Sequence, residues 1–150
     1  QVLGAEKILD DLGIKCEIWS ATSFGGLRRE AVECERWNRL NPTKKAKIPY
    51  ISNVIGKSNI VTVAATDHIK AVPDMIQNWI PGRYVTLGTD GFGRSDTREN
   101  LRKFFEIDSE HIASAAISSL LTEGEISKAK AEKALKKLDI NPDAPDPARN

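Results

Sequence analysis

The sequence is poor in the residues that build disulfide scaffolds and zinc sites. It contains only two cysteines, Cys16 and Cys34, and two histidines among 150 residues. The cysteines lack the CxxC spacing of a zinc ligand pair, and no further Cys or His lies close enough in sequence to complete a ligand set. We therefore expect two reduced thiols in or near the core, and we predict no metal-binding residues.

The sequence also lacks an excess of one charge and a long apolar run. Lysine and arginine total 22 and aspartate and glutamate total 21, so the formal net charge is +1. A nucleic-acid-binding protein needs a basic stripe, and a membrane-spanning helix needs roughly 20 apolar residues. The opening residues, QVLGAEKILDDL, follow the pattern of an amphipathic helix rather than a signal peptide. We expect a cytoplasmic protein that binds neither nucleic acid nor membranes.

What is present is an alternation of apolar strand patterns with helical patterns. Strands are predicted over 14–20, 59–66 and 83–87, and the middle one is apolar nearly throughout, which is typical of a strand buried on both faces. Helical patterns lie between and after them. This order predicts an α/β fold of three αβα layers with a mostly parallel sheet. We predict one domain over 1–138, followed by a proline-rich tail over 139–150.

Polar capping residues predict where several helices begin. Ser23 precedes a helical pattern that runs to Leu40, and Asp108 precedes one over 109–122. Asp96 stands three residues before Glu99, which is the capping-box spacing for the start of a further helix.

The pair Asp67 and His68 follows the second predicted strand and has two interpretations. The two side chains could act as a general acid and base, which would require a substrate within hydrogen-bond reach. An aspartate at the start of a helix is more simply a cap. We favour the cap for Asp67 and assign no catalytic residue.

The most informative stretch follows the third predicted strand, at 88–96, where three glycines precede a helix. Such a turn can cradle a phosphate, because free backbone N–H groups and the helix dipole favour an anion; Arg94 or Arg98 would then supply the counter-charge. The stretch fits neither GxGxxG nor GxxxxGK[ST], and its two aspartates would repel an anion. We therefore favour a structural turn or a loop that contacts a partner, with these candidate residues: Asp90, Phe92, Gly93, Arg94 and Asp96.

Trp37 is the remaining candidate for a partner contact. It lies between arginines in the run ECERWNR. A tryptophan in this setting is typical both of a core edge and of an interface anchor, and the sequence leaves both open. In the same run, Glu35 and Arg39 are four residues apart on the predicted helix, which favours an ion pair worth about 0.2–0.5 kcal/mol.

Three long motifs carry a resemblance to a known family. They are IWSATSFGGLRREAVECERWNRLNP, AATDHIKAVPDMIQNWIPGRY and LGTDGFGRSDTRENLRKFFEID, in this order. Together they resemble the C-terminal domain of the homodimeric bacterial pyruvate dehydrogenase decarboxylating components. The turn from Phe92 to Ser95 and the later FFEID also resemble the broader transketolase C-terminal domain.

The resemblance implies a large enzyme that decarboxylates pyruvate with thiamine diphosphate and magnesium and passes the acetyl unit to a lipoyl acetyltransferase core. In that family two preceding domains hold the cofactor across a homodimer interface, so no cofactor-binding residue is expected here and the chain by itself should be inactive. The family's domain opens with a strand before its first helix; the resemblance implies that this first strand is absent and the domain incomplete at its N-terminus. Two alternatives remain open: a free-standing small-molecule or nucleotide-binding module, and the C-terminal domain of another transketolase-like enzyme.

Overall fold

The computed structural model describes residues 1–56 and 61–149, which form an α/β fold. Seven helices and two strands follow one another along these residues: α1 (Val2–Asp11), α2 (Phe24–Leu40), α3 (Tyr50–Ile55), β1 (Thr62–Ala65), α4 (Ala71–Asp74), β2 (Tyr84–Leu87), α5 (Arg98–Phe104), α6 (Ser109–Thr122) and α7 (Lys128–Leu135). Two short 3-10 helices lie at Gln77–Trp79 and Pro147–Arg149. None of the helices described is long and apolar enough to cross a membrane.

The two strands form a parallel sheet in which Thr62 lies opposite Tyr84 and Ala65 lies opposite Leu87. The expected parallel pairing is therefore confirmed for β1 and β2. Every residue of both strands is only partly buried, so the prediction that the middle strand is buried on both faces is wrong for its described part. The reason is that each strand has a single ladder partner within the described ranges, which leaves its other edge open. Positions 59 and 60 of the predicted strand lie outside the described residues.

One face of the sheet is covered by α1, α6 and α7. Ala113 and Ile117 of α6 are fully buried, and Ala5 and Leu9 of α1 pack into the same apolar cluster. Val63, Ala65 and Leu87 contribute their side chains from the sheet. Alternate residues of a strand point to one face, and these three of the eight strand residues point to the face that α6 covers.

The opposite face carries a second, smaller apolar cluster of Ile51, Ile76 and Ile80, against which Tyr84 packs. The Tyr84 hydroxyl donates to the Pro73 carbonyl oxygen over 3.0 Å, so α4 is held against β2. Helices therefore lie on both faces, and the predicted three-layer arrangement is confirmed.

The predicted strand over 14–20 is wrong. These residues have no regular secondary structure, and Trp19 is 59% exposed. A strand is stable only when its N–H and C=O groups are paired, and the segment has no ladder partner in the part of the chain that the structure describes. As a result Cys16 is exposed, contrary to expectation, whereas Cys34 is buried as expected.

Two of the predicted helix starts are confirmed. The Ser23 hydroxyl accepts a hydrogen bond from the Gly26 N–H over 3.0 Å at the start of α2. The Asp108 carboxylate accepts one from the His111 N–H over 2.9 Å, and α6 has the predicted bounds.

The predicted ion pair between Glu35 and Arg39 is wrong. It is absent from the ion pairs found across residues 1–56 and 61–149, and Glu35 instead accepts a hydrogen bond from the Trp79 indole N–H over 2.9 Å. This contact joins α2 to the 3-10 helix at Gln77–Trp79. A tertiary partner has therefore replaced a weak local one.

Replacing Ile117 with alanine should destabilise the fold by about 2–5 kcal/mol, because the side chain is 0% exposed and its loss leaves a cavity. The matched control is Ile69→Ala, which removes the same atoms from a side chain that is 53% exposed and should cost far less. Chemical unfolding of both variants measures the difference. Equal losses of unfolding free energy would contradict the assignment of the core.

Tyr84 should ionise only at a pH well above the ordinary tyrosine pKa. Burial, with a smaller contribution from the Asp74 carboxylate, raises the pKa of Tyr84 to about 12. The neutral phenol is thus favoured in the folded state, and its contribution to stability is complete below pH about 10, the ordinary tyrosine pKa, and is lost as the pH rises through about 12. Phenolate absorbance measured for the wild type and for Tyr84→Phe tests this. The titration step that disappears in Tyr84→Phe should lie near pH 12. If the step that disappears lies near pH 10 instead, the prediction is wrong.

Candidate functional site at the strand ends

The loop over 88–96 leaves the carboxyl end of β2 and lies directly against the loop that follows β1. A Cβ atom added at Gly88 would lie 2.5 Å from the His68 carbonyl oxygen and 2.9 Å from the Lys70 nitrogen. No side chain fits in that space without moving the backbone of the neighbouring loop. Glycine is therefore required here by the close approach of two backbone segments.

Three hydrogen bonds hold the two loops together. The Thr89 N–H donates to the His68 carbonyl over 2.9 Å, and the Thr89 hydroxyl donates to the Asp67 carbonyl over 2.9 Å. The Lys70 N–H donates to the Asp90 carboxylate over 2.9 Å. The two strand ends are thus joined into one braced unit, which we call the paired loops (66–70 and 88–90).

Asp67 does not cap a helix, so that prediction is wrong. The helix after β1 begins only at Ala71, and Asp90 from the other loop accepts the hydrogen bond of the N–H that precedes it. The sequence could not indicate this, because the carboxylate that completes the helix start lies twenty positions further along the chain.

Gly91 is held by the C-terminal tail. Its φ of +105° lies in the region that disfavours side chains, and an added Cβ would lie 2.7 Å from the Pro147 carbonyl oxygen. The tail is largely exposed, with Pro147 partly buried. At its start, Asp139 forms an exposed ion pair of 2.7 Å with Lys103. The tail lies outside both apolar clusters but contacts the loop.

Beyond the paired loops lies an open groove of about 620 Å³ between the rest of the loop and α5. We call it the arginine groove. It combines three guanidinium groups, two carboxylates, two aromatic rings and two aliphatic side chains. Its lining side chains and glycines are Asp67, Thr89, Gly91, Phe92, Gly93, Arg94, Asp96, Arg98, Leu101, Arg102, Phe105 and Ile107.

Arg94 and Phe92 are two candidate residues at the groove whose side chains differ in their surroundings. The Arg94 guanidinium carbon lies 4.1 Å from the centroid of the Phe104 ring, a cation–π contact. Phe92 is 83% exposed, which is unusual for a phenylalanine in a protein with a formed core. The structure thus gathers Phe92, Gly93, Arg94 and Asp96 at one groove, whereas the Asp90 carboxylate is used within the paired loops.

Asp96 is not the N-cap of α5, and the predicted capping box is wrong. Thr97 caps the helix, since its hydroxyl accepts from the Asn100 N–H over 3.3 Å. Asp96 instead accepts from the Asn100 side chain over 2.8 Å and from the Thr97 N–H over 2.6 Å. These two hydrogen bonds, that of the Asn100 side chain first, lower the pKa of the Asp96 carboxyl. Asp96 therefore stays charged, and its carboxylate is hydrogen-bonded to residues of its own segment.

Trp37 is not part of the groove. It lies on α2, partly buried, with the Lys47 ammonium 4.8 Å and the Lys44 ammonium 6.0 Å from its ring centroid. Its described contacts are with the following loop, so the structure separates it from the other candidate residues.

Sequence reasoning missed Arg102, Leu101 and Phe105 as groove residues. The available signal was helical spacing: Arg98 and Arg102 are four apart on α5, Leu101 is four before Phe105 at the end of that helix, and residues at that spacing share a face. Across residues 1–56 and 61–149, no group of three or more His, Cys, Asp or Glu side chains could hold a metal ion.

Known proteins resemble this chain along almost its whole length. A model of the family "Transketolase-like TK C-terminal domain" matches residues 1–108. Three proteins named "Pyruvate dehydrogenase E1 component" align with it. The one from Cupriavidus necator is 38% identical over 97% of this chain and 16% of its own length. The one from Pseudomonas aeruginosa is 40% identical over 98% of this chain and 17% of its own length, and the one from Escherichia coli is 40% identical over 95% of this chain and 16% of its own length. The chain thus spans only 16–17% of the length of these relatives.

Replacing Gly88 with alanine should destabilise the protein by about 1–3 kcal/mol, because the new methyl group overlaps the His68 carbonyl oxygen. The matched control is Gly93→Ala in the same loop, where an added Cβ meets no atom within 4 Å. The control should change the unfolding free energy by less than about 0.5 kcal/mol. Thermal and chemical unfolding of both variants test this, and a Gly88 variant as stable as the Gly93 variant would disprove the close approach.

Proposed function

Because the chain belongs to the transketolase-like C-terminal domain family, we propose that it is the C-terminal part of a pyruvate dehydrogenase E1 component. The observation that supports this most strongly is the 38–40% identity to relatives of that name over 95–98% of the chain. Identity at this level, spread over the whole chain, favours one branch of the family over the family at large.

The complete protein would decarboxylate pyruvate with thiamine diphosphate and magnesium. It would then pass the two-carbon unit to a lipoyl group of an acetyltransferase core, which leaves that lipoyl group reduced and acetylated. Two copies would form a homodimer. These properties belong to the complete gene product, of which the present chain would be about a sixth by the 16–17% coverage of its relatives.

We expect the cofactor and its metal to be held by other parts of the complete protein. A magnesium ion that carries a diphosphate is held by carboxylate, carbonyl and water oxygens, and the described part of the chain has no acidic cluster of that kind. The arginine groove carries guanidinium groups and two carboxylates that lie outside any such cluster. We therefore assign no chemical step to this chain.

We assign the chain a supporting role in dimer assembly and in holding the catalytic domains. The support comes from apolar side chains that face solvent here, among them Leu3 and Trp19, and from sheet edges that have no strand partner among the described residues. Exposed apolar side chains and unpaired strand edges are typical of surfaces that other protein covers.

The complete gene product should consume pyruvate only when thiamine diphosphate and Mg²⁺ are present, with an artificial electron acceptor in place of the lipoyl core. Parallel reactions with other 2-oxo acids and with a ketose phosphate separate this enzyme from related ones. Preference for a ketose phosphate or for another 2-oxo acid would assign the protein to a different branch of the family. No turnover of any substrate, or tight nucleotide binding by the chain alone, would reject the proposed function.

A further inference from the structure

We propose that the arginine groove is a docking site for an acidic segment of a partner protein, a segment in which carboxylate side chains flank an apolar one. This proposal goes beyond the enzymatic function and does not depend on it. It rests on guanidinium groups that form no ion pair within the described residues, on one exposed aromatic side chain, and on the open shape of the groove.

The three arginines of the groove are free to bind carboxylates. None of Arg94, Arg98 and Arg102 takes part in an ion pair or a side-chain hydrogen bond within the ranges 1–56 and 61–149. The groove also contains Asp67 and Asp96. The Asp96 oxygen Oδ1 already accepts from Thr97 and Asn100, and within the described ranges neither aspartate forms an ion pair with these arginines.

The arrangement of the arginines suits carboxylates in particular. The Arg94 guanidinium carbon lies over the Phe104 ring, and a guanidinium that contacts a ring through its face can still donate N–H hydrogen bonds from its edge. Arg98 and Arg102 are neighbours on one face of α5, and like charges at this spacing destabilise a helix. A bound carboxylate would relieve that repulsion, and guanidinium groups bind carboxylates through two parallel hydrogen bonds.

An apolar anchor lies beside the positive charges. Phe92 is 83% exposed at the rim, and Leu101, Phe105 and Ile107 line the groove. Aromatic and arginine side chains are the residues that most often dominate the energy of protein interfaces. The groove therefore offers both a charged and an apolar component to one ligand.

The shape and net charge favour a peptide over a small anion or nucleic acid. Small-molecule sites enclose most of their ligand, whereas this groove is open along one side. Nucleic acid needs a broad basic surface, and the two aspartates reduce the groove's formal charge from +3 to +1. The chain's own tail sets a precedent, since Pro147 lies on Gly91 and Asp139 pairs with Lys103 of α5.

The test uses the complete gene product and a fluorescein-labelled peptide in which Asp and Glu alternate with Leu, with binding measured by fluorescence anisotropy. The double substitution Arg98→Glu and Arg102→Glu should weaken binding at least about tenfold. The matched control is Arg29→Glu with Arg36→Glu on α2, which changes the net charge equally at exposed positions and should leave binding within about twofold.

A second pair of variants tests the apolar contact without disturbing charge. Phe92→Ala should weaken peptide binding at least about threefold. The control Leu40→Ala, at a side chain on α2 that is 59% exposed, should leave peptide binding unchanged. Because Phe92 is exposed, this variant folds even if the arginine substitutions disturb α5, which circular dichroism would reveal.

Several results would overturn the proposal. They are undetectable binding of the acidic peptide, equal binding of the matching Asn and Gln peptide, and equal weakening by the α2 control. Complete displacement of the peptide by inorganic phosphate at the same concentration would assign the groove to small anions instead. The proposal is supported if the substitutions of Arg98 with Arg102 and of Phe92 weaken peptide binding, the α2 controls do not, and phosphate does not displace the peptide.

Discussion

The close approach of Gly88 to the backbone of His68 and Lys70 is the constraint on which the candidate site depends. An added Cβ would lie 2.5 Å from the His68 carbonyl oxygen, so the two strand-end loops can meet only because the residue has no side chain. The hydrogen bonds of Thr89 and Asp90 then join these loops. The short parallel sheet, which has two strands among the described residues, thereby gains a fixed carboxyl end.

This fixed end determines where the arginine groove lies. The loop continues from the paired loops through Gly91, which contacts the tail, to Arg94, which contacts the Phe104 ring of α5. Loop and helix are therefore held on both sides of the groove. The proposed recognition and assembly roles are therefore assigned to surfaces of the described residues, and the proposed chemistry is assigned to other parts of the complete protein.

Local signals in the sequence were sufficient for much of the fold, and distant contacts were not. The start of α6 at Asp108 could be predicted because cap and helix are adjacent in sequence. The pairing of Glu35 with Trp79 could not, since 44 positions separate them. The prediction of a strand over 14–20 was wrong because a strand needs a neighbouring strand to pair with its N–H and C=O groups, and the local sequence does not show whether one is present. At the site, the glycine loop and Arg94 were identified, but Arg102 enters the groove through the fold of α5.

Hydrogen exchange at the amides of Lys70 and Thr89 tests the central claim most directly, because these two N–H groups bridge the paired loops. The reference is the Thr66 amide, which donates to the Leu87 carbonyl oxygen across the sheet. If the paired loops form one braced unit with the sheet, the Lys70 and Thr89 amides exchange as slowly as that of Thr66. Exchange of both at the rate of an open loop, while Thr66 stays protected, would contradict the account.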